Sequence, residues 1–457
     1  MREHLSLPHY VTRIRQIGWN STNVLIGTHT GRAFLQLISN QLLSRILYPE
    51  AFAIIMLVGS VQFSLALASD LGVKPYVIRQ QGSESPQKLD AVWTFEVIRG
   101  IILATCVFTT AGPLASLFQE PLLKGPLQFL GVIFLLQSFR SLGAAMATRE
   151  LQDWRNSLIG LGTYTAQMVG TILLALMLKS HWALVYGLAI GAVFEVVASY
   201  VFYHKPWRRF RFDPDVLKEL WGFSKFIFAT SLLTIVVTQV DKFFVIREMP
   251  MVLAGCYAIA IRFMLIGNKL IKTYYMRIYY AASSLRLRNN ATDSDAYYKP
   301  LARMRPLFGF LCAAGIMVAE PFIEILLDDR YLPAGVFAAI LFIRPLIGAV
   351  VFPAEQFLIA KSLAKVKFAG EILRGIWMLA VMPFAYAYFG MIGLVWAVAF
   401  HHVGPLLLYY IVLFRMGAVE WSREVSYGAA IAVGFLTGGF VAYIYGFVQH
   451  FFVGTVV

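Results

Sequence analysis

The sequence predicts an all-α polytopic membrane protein: two six-helix bundles related by a parallel repeat, followed by one further C-terminal helix. Three observations carry that prediction. Apolar residues make up 59% of the 457-residue chain and charged residues only 14%, against roughly half and a quarter in a soluble domain. Uncharged runs recur at the length of a bilayer crossing. Features of the first half return in the second at an offset of about 205 residues.

Composition bounds the class. So few charges cannot cover a globular surface of this length, and the surplus apolar surface must face lipid. The mean hydropathy of +0.68 agrees. Phe, Tyr and Trp number 36, 22 and 9, and Tyr and Trp favour the headgroup level. Cys106, Cys256 and Cys312 lie apart in apolar runs, which suits neither a disulfide frame nor a metal site. The net charge of +14 would suggest nucleic acid in a soluble protein. In a membrane protein it records Lys and Arg held in cytoplasmic loops, so no nucleic-acid partner is expected. Residues 1–20 are polar and basic with no short apolar core after them, so no cleavable signal is expected.

A crossing helix needs about 20 mostly apolar residues. That rule places spans at 22–46, 50–72, 91–112, 126–148, 157–178 and 182–203. A basic linker follows at 204–215, then spans at 221–245, 251–273, 304–327, 333–360, 368–389 and 391–414. The stretch 426–457 has room for one helix. The predicted division is a first lobe at 1–210, a second at 211–420 and the additional helix at 421–457. With the N-terminus in the cytoplasm, the inner segments hold most of the Lys and Arg. Lys124, Lys179, Arg247 and Arg330 alone fall outside. The bias predicts a multi-pass protein of the cell inner membrane with its N-terminus inside. The outer loops are short and leave no room for a catalytic domain.

The repeat is legible in segments. NQLLSRILYPEAF at 40–52 aligns with DKFFVIREMPMVL at 241–253, and ATRELQDWRN at 147–156 with IAKSLAKVKF at 359–368. Six spans is an even number, so both halves enter from the same side. Such repeats place a substrate site at their interface, near the midplane.

Charges at membrane depth cost on the order of 3 kcal/mol each and persist where they face water or a partner. In the first span His29, Arg32, Gln36 and Asn40 recur on one helical face, and in the seventh Thr230 or Ser231, Thr234, Thr238 and Asp241 do the same. These stripes are expected to face each other across a central cleft. Arg140 with Gln137, Arg262 and Arg344 add positive charge. Glu355 falls about three turns after Arg344, on nearly the same face. The substrate-binding candidates are therefore Arg32, Gln36, Asn40, Arg140, Arg262 and Arg344. A guanidinium offers five donors and stays charged when partly desolvated, which suits a phosphate or diphosphate. The competing reading makes the same residues structural pairs or snorkelling side chains.

Buried carboxylates can bind a proton near neutral pH. Asp70, Asp241 and Glu355 are the chief candidates for coupling to a proton or sodium gradient, with Glu195 and Glu320 behind them. Satisfied partnership with a nearby cation is the alternative for each. Glu96 and Arg99 are expected to pair with each other. Arg45, Lys242 and Lys269 are expected to snorkel, and His401 and His402 to be packed. GxxxG spacings at Gly27–Gly31, Gly187–Gly191 and Gly434–Gly438 imply close helix packing. No HExxH, P-loop, GxSxG or Cys/His cluster occurs, so neither an enzyme nor a cofactor is expected.

SRILYPEAFA (44–53), SDLGVKPYVIRQQ (69–81), LDAVWTFEVIRG (89–100), TQVDKFFVIREM (238–249) and GCYAIAIRF (255–263) resemble the polysaccharide transporter family of Wzx-type flippases. That family sits in the superfamily holding MATE exporters and the peptidoglycan-precursor flippase. The resemblance runs from about 18 to 420 and rests on the order of the motifs. It implies a MATE/MOP-like V-shaped fold and a substrate of undecaprenyl-diphosphate-linked oligosaccharide. The cargo would move from the cytoplasmic to the periplasmic leaflet for exopolysaccharide, O-antigen or capsule synthesis. It implies membrane lipid, a proton or sodium counter-ion, and a polysaccharide polymerase with export machinery as partners. Arg32 and Arg262 are the best matches to the family's basic lining, by placement. A MATE-type small-molecule exporter and a membrane polymerase or ligase of lipid-linked sugars remain alternatives.

Overall fold

A computed structural model describes the backbone of residues 7–70, 72–79, 86–203 and 207–453. Side chains at 7–23, 25–26, 29, 79, 221–227 and 448–453 lie outside the described set, and His29 of the first polar stripe is among them. The described residues fold as helices α1 (Leu7–Ile46), α2 (Pro49–Ala68), α3 (Val73–Arg79), α4 (Pro86–Leu117), α5 (Lys124–Ser138), α6 (Gly143–Arg149), α7 (Asp153–Leu178) and α8 (Trp182–Val201). Next come α9 (Pro214–Glu248), α10 (Met251–Tyr274), α11 (Tyr280–Arg288), α12 (Asp293–Tyr298), α13 (Met304–Leu326), α14 (Pro333–Leu341) and α15 (Ile343–Ala360). The last are α16 (Ala364–Ile376), α17 (Met382–Ala399), α18 (Val403–Arg415) and α19 (Trp421–Val453). Four of them begin at a proline, Pro49, Pro86, Pro214 and Pro333. There the missing N–H costs nothing and the fixed φ is already helical.

Among the described residues, ten helical segments are long and apolar enough to cross a membrane, and α5 with α6, bent by 54°, makes a further broken span. The stretch Ala364–Arg415 passes that test as one segment, but the chain reverses inside it. Gly390 sits at φ 63°, a left-handed conformation that glycine adopts without a Cβ penalty. Across the bend the Trp377 Nε1–H donates to the Ala397 carbonyl at 2.8 Å, and the Tyr409 hydroxyl to that of Lys367 at 3.2 Å. The predicted eleventh and twelfth spans are thus the two arms of a hairpin. α19 is a single helix, as its length predicts.

The chain separates into two compact units, one of Met1–Leu47 with Leu57–Leu232 and one of Tyr48–Met56 with Leu233–Val457. The boundary falls inside α9, not at residue 210. The linker belongs to the first unit because its aromatic residues pack on α4. Phe210 lies 5.0 Å from Trp93 and Phe212 5.5 Å from Phe95, ring to ring. The Arg211 N–H also donates to Thr94 Oγ1 at 2.9 Å.

In the first unit α4 packs on α5, α7 on α8, and α1 on α7. In the second, α13 packs on α19 and α14, and α10 on α14 and α15. The GxxxG expectation holds in two of three places. A Cβ on Gly187 would lie 1.8 Å from Thr171 Oγ1, and one on Gly438 2.8 Å from Ala314 Cα. Among the described residues nothing lies within 4 Å of a Cβ placed on Gly27. Tighter still is Gly255 of α10, where an added Cβ would meet the Pro49 carbonyl oxygen at 1.9 Å. Gly255→Ala is expected to cost about 3 kcal/mol, because backbone rather than a side-chain tip must yield. A thermal unfolding midpoint in detergent equal to the wild type's would contradict this.

Both units carry a break at the same point of their helix order. α5 ends at Ser138 before α6, and α14 ends at Leu341 before α15. Arg140 and Arg344 lie at these two breaks, at the offset the sequence repeat predicts.

Candidate functional site

Two adjoining cavities of about 400 and 370 Å³ open within the first unit. The larger is lined by Arg32 of α1, by Asn156, Thr163, Tyr164 and Gln167 of α7, by Glu195 of α8, and by Tyr203. Asp70, Glu96, Arg99 and Gln137 line the smaller. Lys74, Arg140 and Ala144 line both.

The break between α5 and α6 is what aims Arg140. Residues 139–142 leave the helix, and α8 holds them. The Ser141 N–H donates to Ser199 Oγ at 3.0 Å, the Ser141 hydroxyl to the Ser199 carbonyl at 2.7 Å, and the Tyr200 hydroxyl to the Phe139 carbonyl at 2.7 Å. Gly143 opens α6 where a Cβ would sit 2.3 Å from the Tyr203 ring. Only glycine lets α6 approach so closely. Tyr203 in turn bonds Asn156, whose amide donates to Asp153 at 2.8 Å and to the Ala144 carbonyl at 3.0 Å. The wall is therefore preorganised by a hydrogen-bonded network.

Four basic side chains face three acidic ones, and their pairing is unequal. Arg140 Nη1 lies 2.6 Å from Glu195 Oε1, and Arg99 Nη2 2.9 Å from Glu96 Oε2. The Glu96–Arg99 pair is the one the spacing predicts. Asp70 accepts the Gly72 N–H at 2.8 Å and so caps a turn. Arg32 lies over the Tyr164 ring at 4.9 Å. Neither Arg32 nor Lys74 has a carboxylate partner among the described residues. The cavity thus holds two cations with their charge uncommitted, which is the chemistry an anion needs.

The other predicted residues lie elsewhere. Asn40 is buried and Gln36 half-buried on α1, and neither lines these cavities. Arg262 stands over Phe52 at 5.2 Å in the second unit. Asp241 is 2% exposed there. It accepts the Tyr257 hydroxyl at 2.9 Å and pairs with Lys242 at 3.5 Å. Lys242 therefore turns inward to an acid and does not snorkel. Arg344 lies within electrostatic reach of Asp241, whereas Glu355 is held by Lys367 at 3.0 Å and Arg374 at 3.7 Å. Helical spacing put Arg344 and Glu355 on nearly one face, but α16 supplies the cations that reach Glu355. His401 and His402 are buried with rings 4.0 Å apart, as expected of a packed pair.

Structure thus unites Arg32 with Arg140 and adds Lys74, Tyr164, Asn156 and Gln167, which the sequence did not single out. One signal for the last group was present. Asn156, Gly160, Thr163, Tyr164 and Gln167 recur at three- and four-residue spacing, a polar stripe on α7.

Comparison with known proteins agrees with this fold. The chain is 23% identical over 286 residues to the succinoglycan biosynthesis transport protein ExoT of Rhizobium meliloti (strain 1021). That match spans 62% of this chain and 56% of the relative, little more than half its length. The fold matches a structure described as the lipid II flippase MurJ in an inward closed conformation, with a TM-score of 0.72 and 14% identity over 95% of this chain and 99% of that one. An inward-facing MATE family multidrug resistance transporter of the MOP superfamily is also similar, with a TM-score of 0.59 and 14% identity over 91% and 95% of the two chains. The chain has the MOP-type fold, and its spans make it a multi-pass membrane protein. Residues 42–335, well over half of the chain, match the family described as polysaccharide biosynthesis protein, and the chain belongs to that family.

Proposed function

We propose that this protein moves an undecaprenyl-diphosphate-linked oligosaccharide across the inner membrane, from the cytoplasmic to the outer leaflet, during assembly of a cell-surface polysaccharide. The observation that carries this reading is the pair of uncommitted cations, Arg32 and Lys74, in a cavity of about 400 Å³. Arg32 rests against an aromatic face, a contact worth roughly 1 kcal/mol. It gives up little when it turns to a phosphate, and a charge-assisted bond returns more. Lys74 lines both cavities and serves a second phosphate as a point charge. The Tyr164 ring and the Gln167 amide offer a face and donors to a sugar.

A bare charged group in hydrocarbon faces a barrier of order 20 kcal/mol by Born estimates. The cavity lowers it by exchanging hydration for fixed donors. A potential of 100 mV, negative inside, adds about 2.3 kcal/mol in favour of outward movement for each negative charge carried. The cargo would then pass to a polymerase and export machinery on the far side. Translocation of a fluorescent lipid-linked oligosaccharide by the purified protein in vesicles tests the reading. Accelerated loss of inner-leaflet label supports it, and a rate equal to protein-free vesicles overturns it.

A further inference from the structure

We propose that a cavity at the first turns of α13 and α19 holds a phosphate ester, the headgroup of an anionic phospholipid of the surrounding bilayer. The inference is independent of the cargo and concerns the second unit alone.

The cavity measures about 250 Å³, and its wall includes Tyr298 of α12, Leu301, Arg305 and Pro306, with Arg423 and Tyr427 of α19. Local sequence explains how these side chains meet. Gly417 turns the chain at φ 67° after α18, a conformation open to glycine, and α19 then starts at Trp421 and packs on α13. Gly309 lies one turn past Arg305 on α13, and a Cβ there would stand 2.6 Å from the Tyr427 ring. The ring therefore lies close against α13, with the Arg305 guanidinium 4.4 Å from its centre.

Two polar groups of this wall are left over. Arg305 spends Nη1 and Nη2 on Glu424 and Tyr410, and its Nε has no hydrogen-bond partner among the described residues. Tyr427 is 5% exposed, and its hydroxyl has no partner among them either. A buried polar group left unpaired is destabilising, and phenylalanine would pack beside Gly309 without that penalty. Both groups can donate, so they call for an acceptor.

Charge makes that acceptor an anion. No carboxylate lines the cavity among the described residues. Arg423 is part-exposed and stands 5.3 Å over the Tyr298 ring, and Ser426 adds a hydroxyl. Glu420 at 2.5 Å and Asp295 at 4.0 Å offset Arg423 from outside the cavity. Over residues 286–305 and 415–427, seven Lys and Arg stand against four Asp and Glu, so this end of the unit keeps a positive excess. Both long helices also start here, and their dipoles favour negative charge. A phosphate has enough oxygens to meet Arg423, the Arg305 Nε–H and the Tyr427 hydroxyl together.

The setting favours a lipid over a soluble phosphate. α13 and α19 are both long and apolar enough to cross a membrane, and the cavity lies at their first turns, the depth of headgroups. Trp421, Val425 and Leu307 of the same turns are exposed, as suits an interface with lipid. Leu301, Ala302 and Pro306 give the cavity an apolar side, which fits the glycerol and the first acyl carbons. Basic pockets between crossing helices suit anionic headgroups.

The test uses the full chain in detergent, with phosphatidylglycerol as probe and native mass spectrometry to count bound lipid. The wild type is expected to hold one phosphatidylglycerol tightly. Tyr427→Phe is expected to bind it about three- to tenfold more weakly, and Arg423→Gln about ten- to a hundredfold. Wild-type affinity in Tyr427→Phe overturns the inference, because a hydroxyl without a ligand can be lost at no cost to binding. That variant carries the test if Arg423→Gln does not fold. The double variant Arg32→Ala, Lys74→Ala is expected to bind as the wild type does. Loss of binding there places the lipid in the first unit and overturns the inference. Phosphatidylcholine, which has no net charge, is expected to bind more weakly, and equal binding overturns the charge argument. Excess glycerol phosphate is expected to leave the lipid in place. Its displacement of the lipid makes the occupant a soluble phosphate ester and overturns the lipid assignment.

Discussion

Changing Arg32 and Lys74 together to Ala is expected to slow translocation of a lipid-linked sugar by about a hundred- to ten-thousand-fold. Hydrogen bonds to charged groups contribute about 1.5–3 kcal/mol each, and 1.36 kcal/mol corresponds to a factor of ten. Protein stability is expected to change little. Neither cation has a carboxylate partner among the described residues, so no orphaned acid is left behind. The Tyr164 face loses only its cation–π contact, about 1 kcal/mol at an exposed site. The two readouts together are diagnostic: slow transport with an unchanged unfolding midpoint assigns the pair to the cargo. Wild-type translocation by the double variant removes the cavity from the transport path.

Arg305→Ala is expected to destabilise the second unit by about 3–5 kcal/mol, the range for removing one partner of a buried ion pair. Arg305 of α13 is 2% exposed. It donates to both carboxylate oxygens of Glu424 at 2.9 and 2.7 Å, and to the Tyr410 hydroxyl at 2.9 Å. Its guanidinium lies 4.4 Å over the Tyr427 ring. Glu424 also accepts the Tyr298 hydroxyl at 2.5 Å. Since Glu424 and Tyr427 both sit near the start of α19, this cluster fastens the C-terminal helix to α13. Further along the same contact, a Cβ on Gly434 would lie 2.5 Å from the Phe310 carbonyl. The double variant Arg305→Ala, Glu424→Gln is expected to lose less than the sum of the singles, as residues in one network do. Additive losses in thermal unfolding would show that the two side chains act separately.

The fold was legible because lipid permits little else. In hydrocarbon every backbone N–H and carbonyl must be satisfied within the segment, so an uncharged run of the right length is already a helix. The same rule placed Arg32 and Arg140 among the candidates, since a charge at that depth needs a reason. Lys74 escaped notice because it follows the second span, where a basic residue is ordinary. Tyr164 and Gln167 escaped because neutral side chains cost little at depth and raise no alarm. Spacing alone could not name the cations that hold Glu355, since Lys367 and Arg374 come from the next helix.

By itself the sequence determined the helical membrane class, the repeat with its offset and the single last helix, because each depends on hydropathy and periodicity along the chain. Only the tertiary structure decided which charges are spent and which are open. Arg99 and Arg140 meet acids, whereas Arg32 and Lys74 do not among the described residues. Pairing is settled by distances of a few ångströms between elements, here by the break at residues 139–142 and its ties to α8. No one-dimensional pattern encodes that distance.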